Sequence, residues 1–416
     1  MHLETNRYLC SNCITDWVYN SCFWYVNLAV VAPRADESVL NTFLWFSCFL
    51  YEKIRSMKTK KLNFMFLTML AIVGIVNRAD SCTGISLNSA DGANIVARTV
   101  EWANGESPSD YLIVPQGFER QSMLPDGTRT GMKYIALYGY VGLASEDYVI
   151  EGLNEAGLSA GLFYFPKYGS YPKYDANDKE NTISDTEFVA WILGNFETVD
   201  DVISALSMVN VVSTDSRAEN LHWRVADKYG RQIVIEYIDG LPMVYDNNLG
   251  VLTNSPGYPW HITNLNNYIN LHPGTMASHQ FGDITLNPIG HGSGMLGLPG
   301  DVTPPSRFVR AAFYQTSAPT MTTAQQAVEQ AFIILEAMTI PIGIQFDDKT
   351  KIPNIPTATQ WTSVTDMTNN RIYYTTMYNP IIRKFDLNEI DFSSVQYQKH
   401  PLDVIKTRPV IDAAVD

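Results

Sequence analysis

Residues 57–81, MKTKKLNFMFLTMLAIVGIVNRADS, decide where a folded domain can begin. Met57 is followed by Lys58, Lys60 and Lys61, then by a mostly apolar run from Leu62 to Val76, then by Ala79-Asp80-Ser81 with Cys82 next. A basic segment, an apolar segment and a small-x-small site in that order make an export signal. The cut is expected between Ser81 and Cys82, which makes residues 82–416 a single exported domain, periplasmic or secreted, with cysteine as its first residue. The apolar run of about 15 residues is shorter than the roughly 20 that a membrane-spanning helix requires. A signal of this kind belongs at an N-terminus, so translation is expected to begin at Met57 and residues 1–56 are read as a mis-assigned extension. That extension holds Cys10, Cys13, Cys22 and Cys48, and its CSNC motif is followed by no second ligand pair at zinc-finger spacing.

Removing residues 1–81 leaves Cys82 as the sole thiol, so no disulfide can form within one mature chain. A thiol kept in an oxidising compartment is exposed to oxidation, which points to a use for it. The remaining composition is that of a globular protein, 17% charged and 46% hydrophobic. A formal net charge of -14 with no basic stripe disfavours nucleic acid as a partner.

The domain opens with a hairpin: TGISLNSA, a tight turn at Asp91-Gly92, then NIVARTVEW. Strands are expected at 134–140, 157–165, 221–227, 231–238 and 371–378. Helical spacing of apolar residues marks TEFVAWILGNF, VDDVISALSMV and the segment Thr323 to Met338. Strands early and late with helices between them indicate an α+β layered domain, without an internal linker or repeat.

A thiol nucleophile needs a base. His222, His261, His272, His279, His291 and His400 sit in no recognisable Cys/His signature, and His222 in LHW reads as a packed strand residue. A mature N-terminal cysteine needs no histidine, because its own α-amino group, with an ordinary pKa near 7.7 to 8.0, can take the proton. Before cleavage that nitrogen is an amide and has no basicity.

The ordered motifs CTG, ARTVEW, GLNEAGLSAGLFYFP, VLTNSP, NLNNY and GLPGDVTPPSRFVRAAF resemble the choloylglycine hydrolases, which include bile salt hydrolase and penicillin V acylase. The resemblance covers nearly all of residues 82–390. It implies an N-terminal-nucleophile hydrolase with an αββα sandwich, commonly a homotetramer, needing no metal or organic cofactor. Carried over residue by residue, it makes Cys82 the nucleophile and Arg98 the cation beside the thiol. Glu101 stands where the family usually has aspartate near the α-amino group, one methylene longer. Asn254 would supply a side-chain oxyanion donor, Arg307 a second active-site arginine, and Tyr164 a backbone N–H donor. Tyr164 occupies a place where many bile salt hydrolases carry asparagine and penicillin V acylases can carry tyrosine.

Thr303-Pro304-Pro305 is a helix start that puts Arg307 in the first turn. The run GHGSGMLGLPGD lacks the Gly-Lys-Ser/Thr ending of a phosphate loop and reads as the lead-in to that helix. Tyrosine-rich FYFPKYGSYPKYD and GYPWH are candidates for an apolar acyl pocket. The expected substrate is a small-molecule acyl amide: glycine- or taurine-conjugated bile salts first, penicillin V-type amides second, N-acyl homoserine lactones third. A different class of reading has Cys82 lipidated and the protein a surface binding module, although Ala79 stands where a lipoprotein signal usually has an aliphatic residue.

Overall fold

A computed structural model describes residues 81–102, 105–215, 220–344 and 355–414. The expected extension at 1–56 and all of the expected signal except Ser81 lie outside these. Thirteen strands build two antiparallel sheets. In chain order they are β1 (Ser81–Asn88), β2 (Asn94–Glu101), β3 (Ser109–Val114), β4 (Tyr140–Ser145), β5 (Tyr148–Asn154), β6 (Leu158–Tyr164), β7 (Leu221–Asp227), β8 (Gln232–Ile238), β9 (Leu241–Asp246), β10 (Thr359–Asp366), β11 (Arg371–Thr376), β12 (Arg383–Asp386) and β13 (Gln398–Pro401). The first sheet has five strands in the order β1-β2-β10-β11-β12, and the second has eight in the order β9-β8-β7-β6-β5-β4-β3-β13.

Helices cover the outer face of each sheet. Helix α1 (Phe188–Asn195) packs on β5 and β6, with α2 (Val199–Ala205) beside β7; α3 (Tyr258–Asn264) lies against α4 (Pro304–Ser317), and α4 and α5 (Ala324–Glu336) pack on β1, β2 and β10. The layers are therefore helix, sheet, sheet, helix, the arrangement expected from the resemblance. Each layer boundary has its own apolar core. Ile95 and Ala97 of β2 pack toward Phe308, Val328 and Phe332 of the helices, while Val96 and Val100 join Val141, Leu143 and Trp361 between the sheets. This alternation along β2 is the period-two geometry of a strand buried on both faces.

The hairpin turns at Asp91-Gly92, where Gly92 adopts φ +91°, a conformation that disfavours any residue with a Cβ. The strand expected at 134–140 is broken: a short strand Lys133–Ile135 is separated from β4, and Gly139 lies against Phe392, where a side chain would collide. Strands β3, β5, β9, β10, β12 and β13 were not expected, because their residues mix polar and apolar positions without clean alternation, and β4 meets the expected stretch 134–140 at Tyr140 alone.

Candidate active site

Cys82 is the second residue of β1 and is 5% exposed. The ladder pairs Ser81 with Glu101, Cys82 with Val100 and Gly84 with Arg98. Ladder partners point the same way, so the Cys82 and Arg98 side chains share the face that looks toward the second sheet, while Glu101 shares the helix-side face with Thr83 and Thr99.

Asn254 follows the bridge between Gly84 and Leu252, which ties the segment ahead of it to β1. Its Oδ1 accepts from the Cys82 backbone N–H at 3.0 Å and from Arg307 Nη2 at 2.7 Å. Two donors on one atom fix the orientation of the amide: that atom is oxygen, and the other is Nδ2. Nδ2 donates one hydrogen to the Tyr164 carbonyl at 2.8 Å and carries a second.

Arg307 sits where the Pro304-Pro305 start predicts, in the first turn of α4, and is fully buried. Its Nε donates to the Val302 carbonyl at 2.9 Å and its Nη1 to the Cys82 carbonyl and to Thr83 Oγ1 at 2.8 Å. One guanidinium thus joins the cysteine, its neighbour and Asn254. Burial pushes its pKa down, opposed by Glu101 and then by Cys82.

Arg98 is anchored differently. It donates to the Leu162 carbonyl at 2.5 Å, pairs with Glu151 at 3.5 Å and lies with its guanidinium 3.9 Å from the Phe163 ring centre. Glu151 also receives Arg224 Nη2 at 2.8 Å. All three side chains are at most 1% exposed, and two cations face one carboxylate between the sheets. Gly161 makes the room, since a Cβ there would collide with Glu151 Oε2.

Glu101 is buried and its Oε1 accepts from Thr359 Oγ1 at 3.2 Å, whereas Oε2 has no hydrogen-bond partner at bonding distance among the described residues. Burial raises its pKa from 4.5 to about 7, with Arg307 the largest opposing influence. On the helix side of the ladder it lies opposite Ser81 and away from the direction of the thiol.

A cavity of about 130 Å³ opens beside these groups, lined by Cys82, Arg98, Glu101 and Tyr164, with an apolar wall of Trp102, Tyr148, Ile150, Leu162 and Leu221. The six residues expected for the site divide accordingly. Cys82, Arg98, Glu101 and Tyr164 line the cavity, while Asn254 and Arg307 stand behind it and hold the cysteine backbone. Of the two tyrosine-rich stretches, Tyr164 alone reaches the wall; Trp102 and Tyr148 supply the aromatic surface instead. Glu151 and Arg224 were missed. The available signal was a charge at an inward position of an otherwise apolar strand, as in YVIEGLN and LHWRVAD. His222 is fully buried, as its reading as a packed residue requires.

A cysteine at the edge of a four-layer sandwich, with a buried asparagine and arginine gripping its backbone, defines an N-terminal-nucleophile hydrolase architecture. The sequence matches the linear amide C-N hydrolases, choloylglycine hydrolase family, over residues 82–399, and the chain belongs to that family of enzymes. It is 33% identical over 331 residues to the bile salt hydrolase/transferase of Clostridium perfringens, an alignment covering 77% of this chain and 97% of that protein. Its fold is similar to the crystal structure of a single-residue variant of conjugated bile acid hydrolase from Clostridium perfringens, with a TM-score of 0.69, 28% identity, and 80% and 100% of the two chains covered. It also resembles the structure of penicillin V acylase from Agrobacterium tumefaciens, with a TM-score of 0.61 at 24% identity over 76% and 90% of the two chains.

Proposed function

We propose that this linear amide hydrolase is exported, is cleaved between Ser81 and Cys82, and hydrolyses glycine- or taurine-conjugated bile salts with Cys82 as N-terminal nucleophile. The observation that carries the reading is the grip on the Cys82 main chain: its nitrogen on Asn254 Oδ1 and its carbonyl on Arg307. Cleavage turns that held nitrogen into an amine, and removes the ladder partner of Glu101, whose buried carboxylate is suited to an ammonium.

In this mechanism the α-amino group takes the thiol proton and the thiolate attacks the amide carbon. The surplus guanidinium charge of the Arg98–Glu151–Arg224 cluster favours an anion in that cavity. The second Nδ2 hydrogen of Asn254 and the Tyr164 backbone N–H stabilise the tetrahedral oxyanion. The α-ammonium then protonates the departing amine, leaving a thioester on Cys82. Water, deprotonated by the same amine, hydrolyses the thioester to release the acid and restore the thiol. The apolar wall of Trp102, Ile150, Leu162 and Leu221 suits a bulky apolar acyl group.

Tyr164 in the cavity wall favours a second reading in which phenoxyacyl amides of the penicillin V type are preferred. Protein expressed from Met57, with its N-terminus established by mass spectrometry, is assayed on glycocholate, taurocholate and penicillin V. Preferential release of glycine or taurine supports the first reading and preferential penicillin V cleavage the second. A diacylglycerol adduct on Cys82 rules out both. Cys82→Ala is expected to abolish turnover in a folded protein, and retained activity excludes this nucleophile.

A further inference from the structure

The turn that presents Asn254 is held from both sides by two buried groups that the mechanism does not use. His222, on β7, and Glu236, on β8, are 0% and 1% exposed. Glu236 Oε1 accepts from the Tyr258 backbone N–H at 2.8 Å and lies 3.1 Å from His222 Nδ1. The other ring nitrogen, Nε2, lies 3.2 Å from the carbonyl of Thr253, the residue before Asn254. A carbonyl oxygen can only accept, so Nε2 is the donor to Thr253. The imidazole is locked in plane by a parallel stack on Phe165, with centroids 4.5 Å apart, and by an edge contact with Phe163. Both phenylalanines flank Tyr164 in sequence. The pair therefore grips residue 253 through His222 and residue 258 through Glu236, and the stack fixes the ring against the segment that carries Tyr164.

We propose that His222, backed by Glu236, is a positioning residue for catalysis, setting the Asn254 amide and the Tyr164 main chain in the mutual geometry that receives the oxyanion. This rests on the reading of Asn254 as an oxyanion donor. Removing one such donor lowers kcat by roughly 100- to 1,000-fold in other hydrolases, so misplacing it should cost less.

His222→Phe keeps an aromatic ring in the stack and removes both hydrogen bonds. It is compared with Asn254→Ala and the double variant on whichever substrate the wild-type enzyme turns over, with rates counted per Cys82 thiol titrated under native conditions. The expected result is a kcat lowered about 10- to 100-fold with KM within about threefold of wild type, and a double variant no slower than Asn254→Ala, since residues acting through one group are not additive. His222→Gln, which keeps an N–H for the Thr253 carbonyl, should recover part of the rate, and it replaces Phe in the cycle if that variant does not fold. Wild-type kcat in the His222 variant, or losses that multiply in the double variant, would overturn the proposal while leaving Asn254 in its role. Wild-type kcat in Asn254→Ala would instead remove the oxyanion reading and this inference with it.

Discussion

Glu101 is a cavity residue whose ionisation is set by its surroundings. With its pKa raised from 4.5 to about 7, the folded chain holds a proton between those values that the unfolded chain has lost. Stability from this group therefore falls as pH rises from 4.5 to 7, and the full penalty persists above 7. Urea titrations of the chain with Ser81 still attached should show Glu101→Gln matching wild type near pH 4.5 and exceeding it above pH 7; equal stability at both would show that Oε2 finds a partner in solution. His261 has the opposite sign. It donates to the Asn254 carbonyl at 2.8 Å, and burial lowers its pKa from 6.5 to about 4. Its contribution is complete above pH 6.5 and is lost as pH falls toward 4. At the same scale, Tyr164→Asn keeps the backbone N–H proposed as an oxyanion donor while altering the cavity wall. The expected outcome is turnover retained with a changed ratio of bile salt to penicillin V cleavage, read from kcat/KM on both; an unchanged ratio would clear the side chain of any part in specificity.

Among the elements, α5 shows how local chemistry sets a boundary. Thr323 accepts from the Gln326 N–H through its side chain, and Gln326 reaches back to the Thr323 N–H, closing a capping box. Replacing Thr323 by alanine should destabilise the protein by about 1 kcal/mol without altering kcat, because the cap lies on the outer layer. A larger loss measured by denaturant titration would mean that α5 supports the β1–β2 hairpin more directly than its apolar face implies. Helix α4 starts on Pro304 and Pro305, whose missing N–H groups cost nothing in a first turn. That start puts Arg307 within reach of both Cys82 and Asn254.

At the scale of the whole molecule, the two sheets are joined by charge as well as by apolar packing. Glu151 sits between Arg98 from the first sheet and Arg224 from the second. Breaking a buried pair from one side leaves an uncompensated charge, typically worth about 3–5 kcal/mol. Glu151→Gln removes the counter-charge to both guanidiniums, and a loss of about that size is expected in denaturant titration. A much smaller loss would show that water or the Leu162 and Ile150 carbonyls satisfy Arg98 alone.

The hairpin and the Arg307 helix were legible because each depends on residues within a few positions of one another. The contacts among Cys82, Asn254 and Arg307 span separations of 172 and 225 residues, and motif order alone carries no distance. Gly139, within the interrupted stretch 134–140, packs against Phe392 from the far end of the chain. The roles of Glu151, Arg224, His222 and Glu236 depend on which strands become neighbours. A buried charge is stable only beside its partner, and pairing across two sheets is a property of topology. Local sequence determined the residues able to do this chemistry and the turns and helices that carry them; tertiary structure decided which of them meet, because the hydrogen bonds and ion pairs that make a site act over only a few ångströms.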